Sequence, residues 1–178
     1  MNYKEVPNDL SFLRIILSCF FAFYFNNLLN NNHNIILPFT IFIIILITDY
    51  LDGFVARKTS NTSSFGALLD VSADMIFVIL SYLTLTINHM LHPFFIFVLI
   101  LKFIEFIYTS NKKDTSKRVV FDTIGKYVSI FWIVFPGIIC ILCYMNIENL
   151  TLIINSIVIV TTILALISTI TRLYSMGR

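Results

Sequence analysis

The sequence predicts an all-α, polytopic membrane protein built as a bundle of six transmembrane helices. Three observations carry that prediction. Of 178 residues, 58% are hydrophobic and only 12% charged, and the mean hydropathy of +0.89 lies far outside the range of a soluble domain. Six apolar stretches fit the roughly 17–25 residues that a helix needs to cross a bilayer. The basic residues sort onto one side of those stretches.

The stretches cover residues 11–29, 35–55, 65–87, 93–109, 121–144 and 150–172. The first, around IILSCFFAFYF, follows Lys4 and Arg14 as the core of a signal peptide would. No small-residue cleavage pattern comes after it, and NNLLNNNHN reads as a polar loop, so it is expected to stay as a membrane helix. The second runs from ILPFTIFIIILIT into DYLDGFVARK, and the third from FGALLDVSAD into MIFVILSYLTLTI. The fourth carries Lys102 and Glu105, three apart, as a structural pair or as part of a substrate cavity, with the structural role favoured. The fifth holds Cys140-x-x-Cys143. One such pair among three cysteines supplies neither a disulfide framework nor a full metal-ligand set, so these are read as packing residues. The sixth is uninterrupted by charge up to Arg172. No connection has room for a soluble domain, which makes residues 1–178 a single membrane domain.

Positive charge stays on the cytoplasmic side of a membrane protein. Lys4, Arg14, Arg57, Lys58, Lys112, Lys113, Lys117, Arg118, Lys126, Arg172 and Arg178 fall on the side shared by both termini and the second and fourth connections. The remaining connections hold neither Lys nor Arg. Six spans with both termini cytoplasmic follow, and His33, His89 and His92 fall outside as solvated loop residues.

Four aspartates stand out against this background. Asp49 and Asp52 share a face near the end of the second span, with Gly53 and Ala56 beside them; Asp70 and Asp74 share a face with Gly66 near the start of the third. At a rise of about 1.5 Å per residue, Asp52 and Asp70 each lie roughly 8–10 Å from the cytoplasmic connection. Small residues at 53, 56, 66, 67 and 73 let the two helices approach closely. Four carboxylates gathered at low dielectric repel by several kcal/mol unless protonated or bound to cations. Oxygen ligands of this kind suit Mg²⁺ or Mn²⁺, and two such ions would neutralise the four charges. Arg57, one turn past Gly53, offers a planar fork suited to phosphate.

The full spacing is Asp49-x-x-Asp52-Gly53-x-x-Ala56-Arg57, eight residues, then Gly66-x-x-x-Asp70-x-x-x-Asp74. It resembles the signature of the CDP-alcohol phosphotransferase (CDP-alcohol phosphatidyltransferase) family at every defined position. PNDLSFLR at residues 7–14 is similar to a stretch often found before that family's first helix. The resemblance implies a cytoplasmic-side active site that transfers the phosphatidyl group of a lipid such as CDP-diacylglycerol to a small polar alcohol, with release of CMP. It implies metal binding by Asp49, Asp52, Asp70 and Asp74, with Asp74 as general base. Asp49, Asp52, Gly53, Arg57, Gly66 and Asp70 would contact the CDP and phosphate groups. The expected partners are the bilayer, the two substrates and a second copy of the chain, with no nucleic acid.

Glycerol 3-phosphate is the favoured acceptor, with Lys117, Arg118 and Lys126 as its cationic partners; Gly125-Lys126 is similar to a Gly-Lys in phosphatidylglycerophosphate synthases. Those enzymes commonly place Lys after the last aspartate, where this chain has Met75. Serine, inositol phosphate and phosphatidylglycerol are the alternative acceptors. A divalent-cation transporter is the alternative of a different class. Beyond Asp74, however, only Ser81, Tyr82, Thr84 and Thr86 interrupt the third span, too few polar groups to continue an ion path.

Overall fold

A computed structural model describes residues 6–30, 34–59, 64–112 and 123–176. All secondary structure among them is helical: α1 (Val6–Leu29), α2 (Ile36–Thr59), α3 (Ser64–Ile87), α4 (Phe94–Lys112), α5 (Thr123–Tyr144) and α6 (Leu150–Met176). Helices α1, α2, α3, α5 and α6 each contain a segment long and apolar enough to cross a membrane, and only 22–39% of each such segment is buried inside the protein. Many of the other side chains, including Phe20, Phe23, Ile47, Ile163 and Ile170, are exposed. An apolar exterior on this scale belongs against lipid, which makes this an integral membrane protein.

Local chemistry starts and stops the helices. Asn34 Oδ1 accepts the Ile36 N–H at 3.1 Å at the start of α2, and His92 Nδ1 accepts the Phe94 N–H at 3.2 Å at the start of α4. His89, Asn146 and Asn149 take positive φ in the α3–α4 and α5–α6 connections.

Helix α1 packs most extensively against α2 and α3, while α5 packs against α6. Two polar contacts hold α1 parallel to α3. Arg14 reaches Asp74 near one end, and Asn88 Nδ2 donates to Asn26 Oδ1 at 2.8 Å near the other. The partners are 60 and 62 residues apart, so the register barely drifts along the pair.

The core between these contacts is aromatic. Phe21 packs against Phe25, Phe42 and Phe77 with ring centroids 5.1–6.2 Å apart. A second group, Tyr82, Phe95 and Trp132, joins α3, α4 and α5 at 5.0 and 5.6 Å. Gly137 sits directly over the Phe42 ring, so a residue with no Cβ is what lets α5 approach α2. Cys140 is buried in the core and all three cysteines are free.

Candidate active site

The residues of α1 at 11, 14, 18, 21 and 25 follow helical spacing, and all five are buried. Two are aromatic and three polar, so one stripe changes from Phe25 and Phe21 to Ser18, Arg14 and Ser11 along its length. Ser18 Oγ donates to the Arg14 carbonyl at 2.7 Å. The Arg14 side chain is fully buried and points at the aspartates of α2 and α3.

One guanidinium nitrogen does most of the gathering. Arg14 Nη1 donates to Asp74 Oδ1 at 2.6 Å and to Asp70 Oδ1 at 2.7 Å, and lies 3.3 Å from Asp49 Oδ1. Asp52 is held differently: its Oδ2 accepts from Ser11 Oγ at 3.2 Å and stands 3.9 Å from Arg14 Nη2. Its side chain is 6% exposed, whereas those of Asp49, Asp70 and Asp74 are 46%, 35% and 30% exposed. The four predicted aspartates thus converge on one cation, three of them open to the site and the fourth beneath.

This donor set fits a divalent cation. One oxygen from each of Asp49, Asp70 and Asp74 lies within 4.8 Å of the other two. Hard cations bind carboxylate oxygens at about 2.0–2.6 Å, so these three oxygens can share one once they draw in slightly and Arg14 Nη1, 2.6–3.3 Å from all three, gives way. Ionised, the four aspartates carry three more charges than Arg14 cancels. At an effective dielectric near 20, like charges about 4 Å apart repel by roughly 4 kcal/mol, which favours added positive charge.

Of the other predicted site residues, Gly53 and Gly66 are half-buried on the facing helices. Arg57 belongs to α2, but its side chain lies outside the described residues, as do Lys117 and Arg118 entirely. Lys126 is exposed on the first turn of α5. Arg14 was expected among the flanking basic residues; it is instead the centre of the cluster. Ser11 was likewise given no site role, although its three-residue spacing from Arg14 within PNDLSFLR marked one face.

Lys102 and Glu105 do form the expected pair, at 2.9 Å. They are also tied to α6, because Lys102 Nζ donates to Thr169 Oγ1 at 2.7 Å and Thr169 Oγ1 donates to Glu105 Oε2 at 2.8 Å. Lys102 further lines a cavity of about 240 Å³ between α3, α4 and α5, with Asp74, Ser129 and Trp132 among the other walls. Among the described residues α4 and α5 have no Cα atoms within 8 Å of each other, which leaves room for this space. It is mostly apolar, with Asp74 joining it to the carboxylate cluster.

The family model for CDP-alcohol phosphatidyltransferase matches residues 4–170. A protein named CDP-diacylglycerol--glycerol-3-phosphate 3-phosphatidyltransferase from Aquifex aeolicus (strain VF5) is 30% identical over 170 residues, covering 92% of this chain and 91% of its own. A protein of the same name from Wigglesworthia glossinidia brevipalpis is 37% identical over 100 residues, covering 52% of this chain and 48% of its own. Another, from Haemophilus influenzae (strain ATCC 51907 / DSM 11121 / KW20 / Rd), is 38% identical over 95 residues, covering 52% and 48%. No solved structure matches the chain.

Proposed function

Because the chain belongs to the CDP-alcohol phosphatidyltransferase family, we propose that it transfers the phosphatidyl group of CDP-diacylglycerol to glycerol 3-phosphate and releases CMP. The observation that carries the assignment of the site is the meeting of Asp49, Asp52, Asp70 and Asp74 around Arg14. The acceptor is taken from the names of the relatives.

Asp49, Asp52, Asp70 and Asp74 would hold two divalent ions, Mg²⁺ or Mn²⁺. Bound there, the ions supply positive charge to the diphosphate and to the departing CMP oxygen. Gly53 and Gly66 present backbone without side-chain bulk, and Arg57 offers its fork to a phosphate oxygen. Asp74 takes the proton from the acceptor hydroxyl on a carboxylate oxygen. The acceptor oxygen then bonds to the phosphatidyl phosphorus as the bond from that phosphorus to CMP breaks, so no covalent enzyme intermediate forms. Lys117, Arg118 and Lys126 draw the acceptor's phosphate to the cytoplasmic face, while the donor's tails remain in the bilayer.

Helix α4 is the sixth span of a single membrane domain in the cell membrane, with both termini cytoplasmic, and the working form is a homodimer. The distribution of Lys and Arg supports this orientation.

The test is CMP release from CDP-diacylglycerol in vesicles, with Mg²⁺, Mn²⁺ or chelator, and with glycerol 3-phosphate, serine, inositol phosphate or phosphatidylglycerol as acceptor. Release is expected with glycerol 3-phosphate and a divalent ion. Asp74→Asn should lower turnover by about 10²–10⁴-fold, the scale of a lost general base, in a protein that still folds. Wild-type turnover in that variant removes Asp74 as the base, and release with a different acceptor alone overturns the glycerol 3-phosphate assignment.

A further inference from the structure

Arg14 is fully buried, yet it is only half used. Its Nη1 serves Asp70 and Asp74, whereas Nε and Nη2 are buried without a hydrogen-bond partner. Asp52 Oδ1 is also buried without one, and the Oδ2 of the same carboxylate lies 3.9 Å from Nη2. Leaving buried donors of a charged group unsatisfied costs more than about 1–3 kcal/mol. The Nε–Nη2 edge is also the side of a guanidinium that binds phosphate through two parallel N–H groups. The buried arginine therefore uses one nitrogen to hold the carboxylates together, while its anion-binding edge makes no hydrogen bond and has the Asp52 carboxylate, 3.9 Å from Nη2, as its ionic neighbour.

We propose that Arg14 is a positioning residue that couples metal loading to donor capture. Without metal it acts as a counter-cation that holds Asp49, Asp70 and Asp74 together. When divalent ions take those oxygens, Nη1 is released, and the whole guanidinium becomes available to the donor's diphosphate. Metal and Arg14 compete for the same carboxylates, whereas diphosphate and metal favour each other through it. The inference rests on the reading of the aspartates as metal ligands.

The test uses the full-length protein in lipid nanodiscs, with Mn²⁺ affinity measured by the paramagnetic resonance of free Mn²⁺, CDP affinity measured in saturating Mn²⁺, and thermal unfolding followed with and without chelator. In Arg14→Gln, Mn²⁺ should bind about tenfold tighter and CDP about tenfold weaker, well within the range of coupled binding events. The variant should melt below wild type in chelator, and the gap should close in saturating Mn²⁺. A purely structural arginine would move both affinities in the same direction and leave the same melting gap in both conditions, which overturns the proposal.

Arg14→Lys covers the case in which the glutamine variant does not fold without metal. It keeps the counter-charge but lacks the planar fork, so it should retain wild-type Mn²⁺ affinity and lose CDP affinity. Unchanged CDP affinity in this variant overturns the proposal. Failure of the wild-type protein to bind Mn²⁺ overturns the metal-site reading itself, and the inference with it.

Discussion

Gly137→Ala tests whether packing remote from the aspartates sets their geometry. A Cβ at 137 would lie 2.5 Å from Phe42 Cζ and 2.6 Å from Cδ1, with Cε1 closer still. To reach ordinary contact at 3.4 Å, Cζ alone must withdraw by about 0.9 Å. The ring has little room to do so. It is 4% exposed and packs against Phe21, Phe39 and Phe77, each at a centroid distance of 6.2 Å. Overpacking of this kind costs about 1–3 kcal/mol. For a chain of this size, that corresponds to roughly 2–4 °C of melting temperature per kcal/mol. Phe77 lies three residues beyond Asp74 on α3, so a push on its ring is expected to reach the carboxylate proposed as the base. Misplacing a reacting group by about 1 Å lowers turnover by up to 10²-fold. The assay is thermal unfolding alongside CMP release, with Gly137→Ala/Phe42→Leu as the rescue. Wild-type melting and wild-type turnover in the alanine variant would refute the claim that the Phe42 ring is locked and that α3 transmits its displacement.

Two further outcomes follow from partly buried charges. Lys102→Met leaves Glu105, 12% exposed and bonded to Thr169, without its cation; it should destabilise by about 3–5 kcal/mol, whereas Lys102→Met/Glu105→Leu should melt near wild type. Equal loss in the single and double variants would show that the pair does not act as a unit. Asp70→Asn replaces one of the three clustered carboxylates with a neutral amide and should lower turnover on the order of 10²–10³-fold, the scale of losing one pre-organised electrostatic group. A Mn²⁺ titration should show a higher half-saturating concentration for this variant, and an unchanged one would remove Asp70 from the ligand set.

The helical spans were legible because lipid demands long apolar runs, and the expected stretches begin and end within a few residues of α2, α3, α5 and the start of α6. Helix α1 begins at Val6, earlier than the apolar run at residue 11, and its opening residues include Asn8 and Asp9, which a search for apolar runs passes over. The aspartates were legible through their spacing: positions three and four apart share a face, and two short-linked helices bring two faces together. Arg14 was not, because a basic residue beside an apolar run reads equally as a membrane anchor. Only the packing of α1 against both α2 and α3 turns it inward. Thr169 as the third member of the Lys102–Glu105 group was hidden for the same reason, since it lies 64 residues from Glu105. The contact of Gly137 with Phe42 depends on where α5 crosses α2, which no local pattern records.

Arg14 and its four anionic partners all belong to the first 74 of 178 residues. A ribosome adding about 5–20 residues per second still has roughly 5–20 s of elongation left when Asp74 is made. Helix α1, with its arginine, is therefore synthesised before α2 and α3, which carry the four aspartates. The whole charged centre is thus encoded in the three helices made first, and the last three are added to a chain that already contains it.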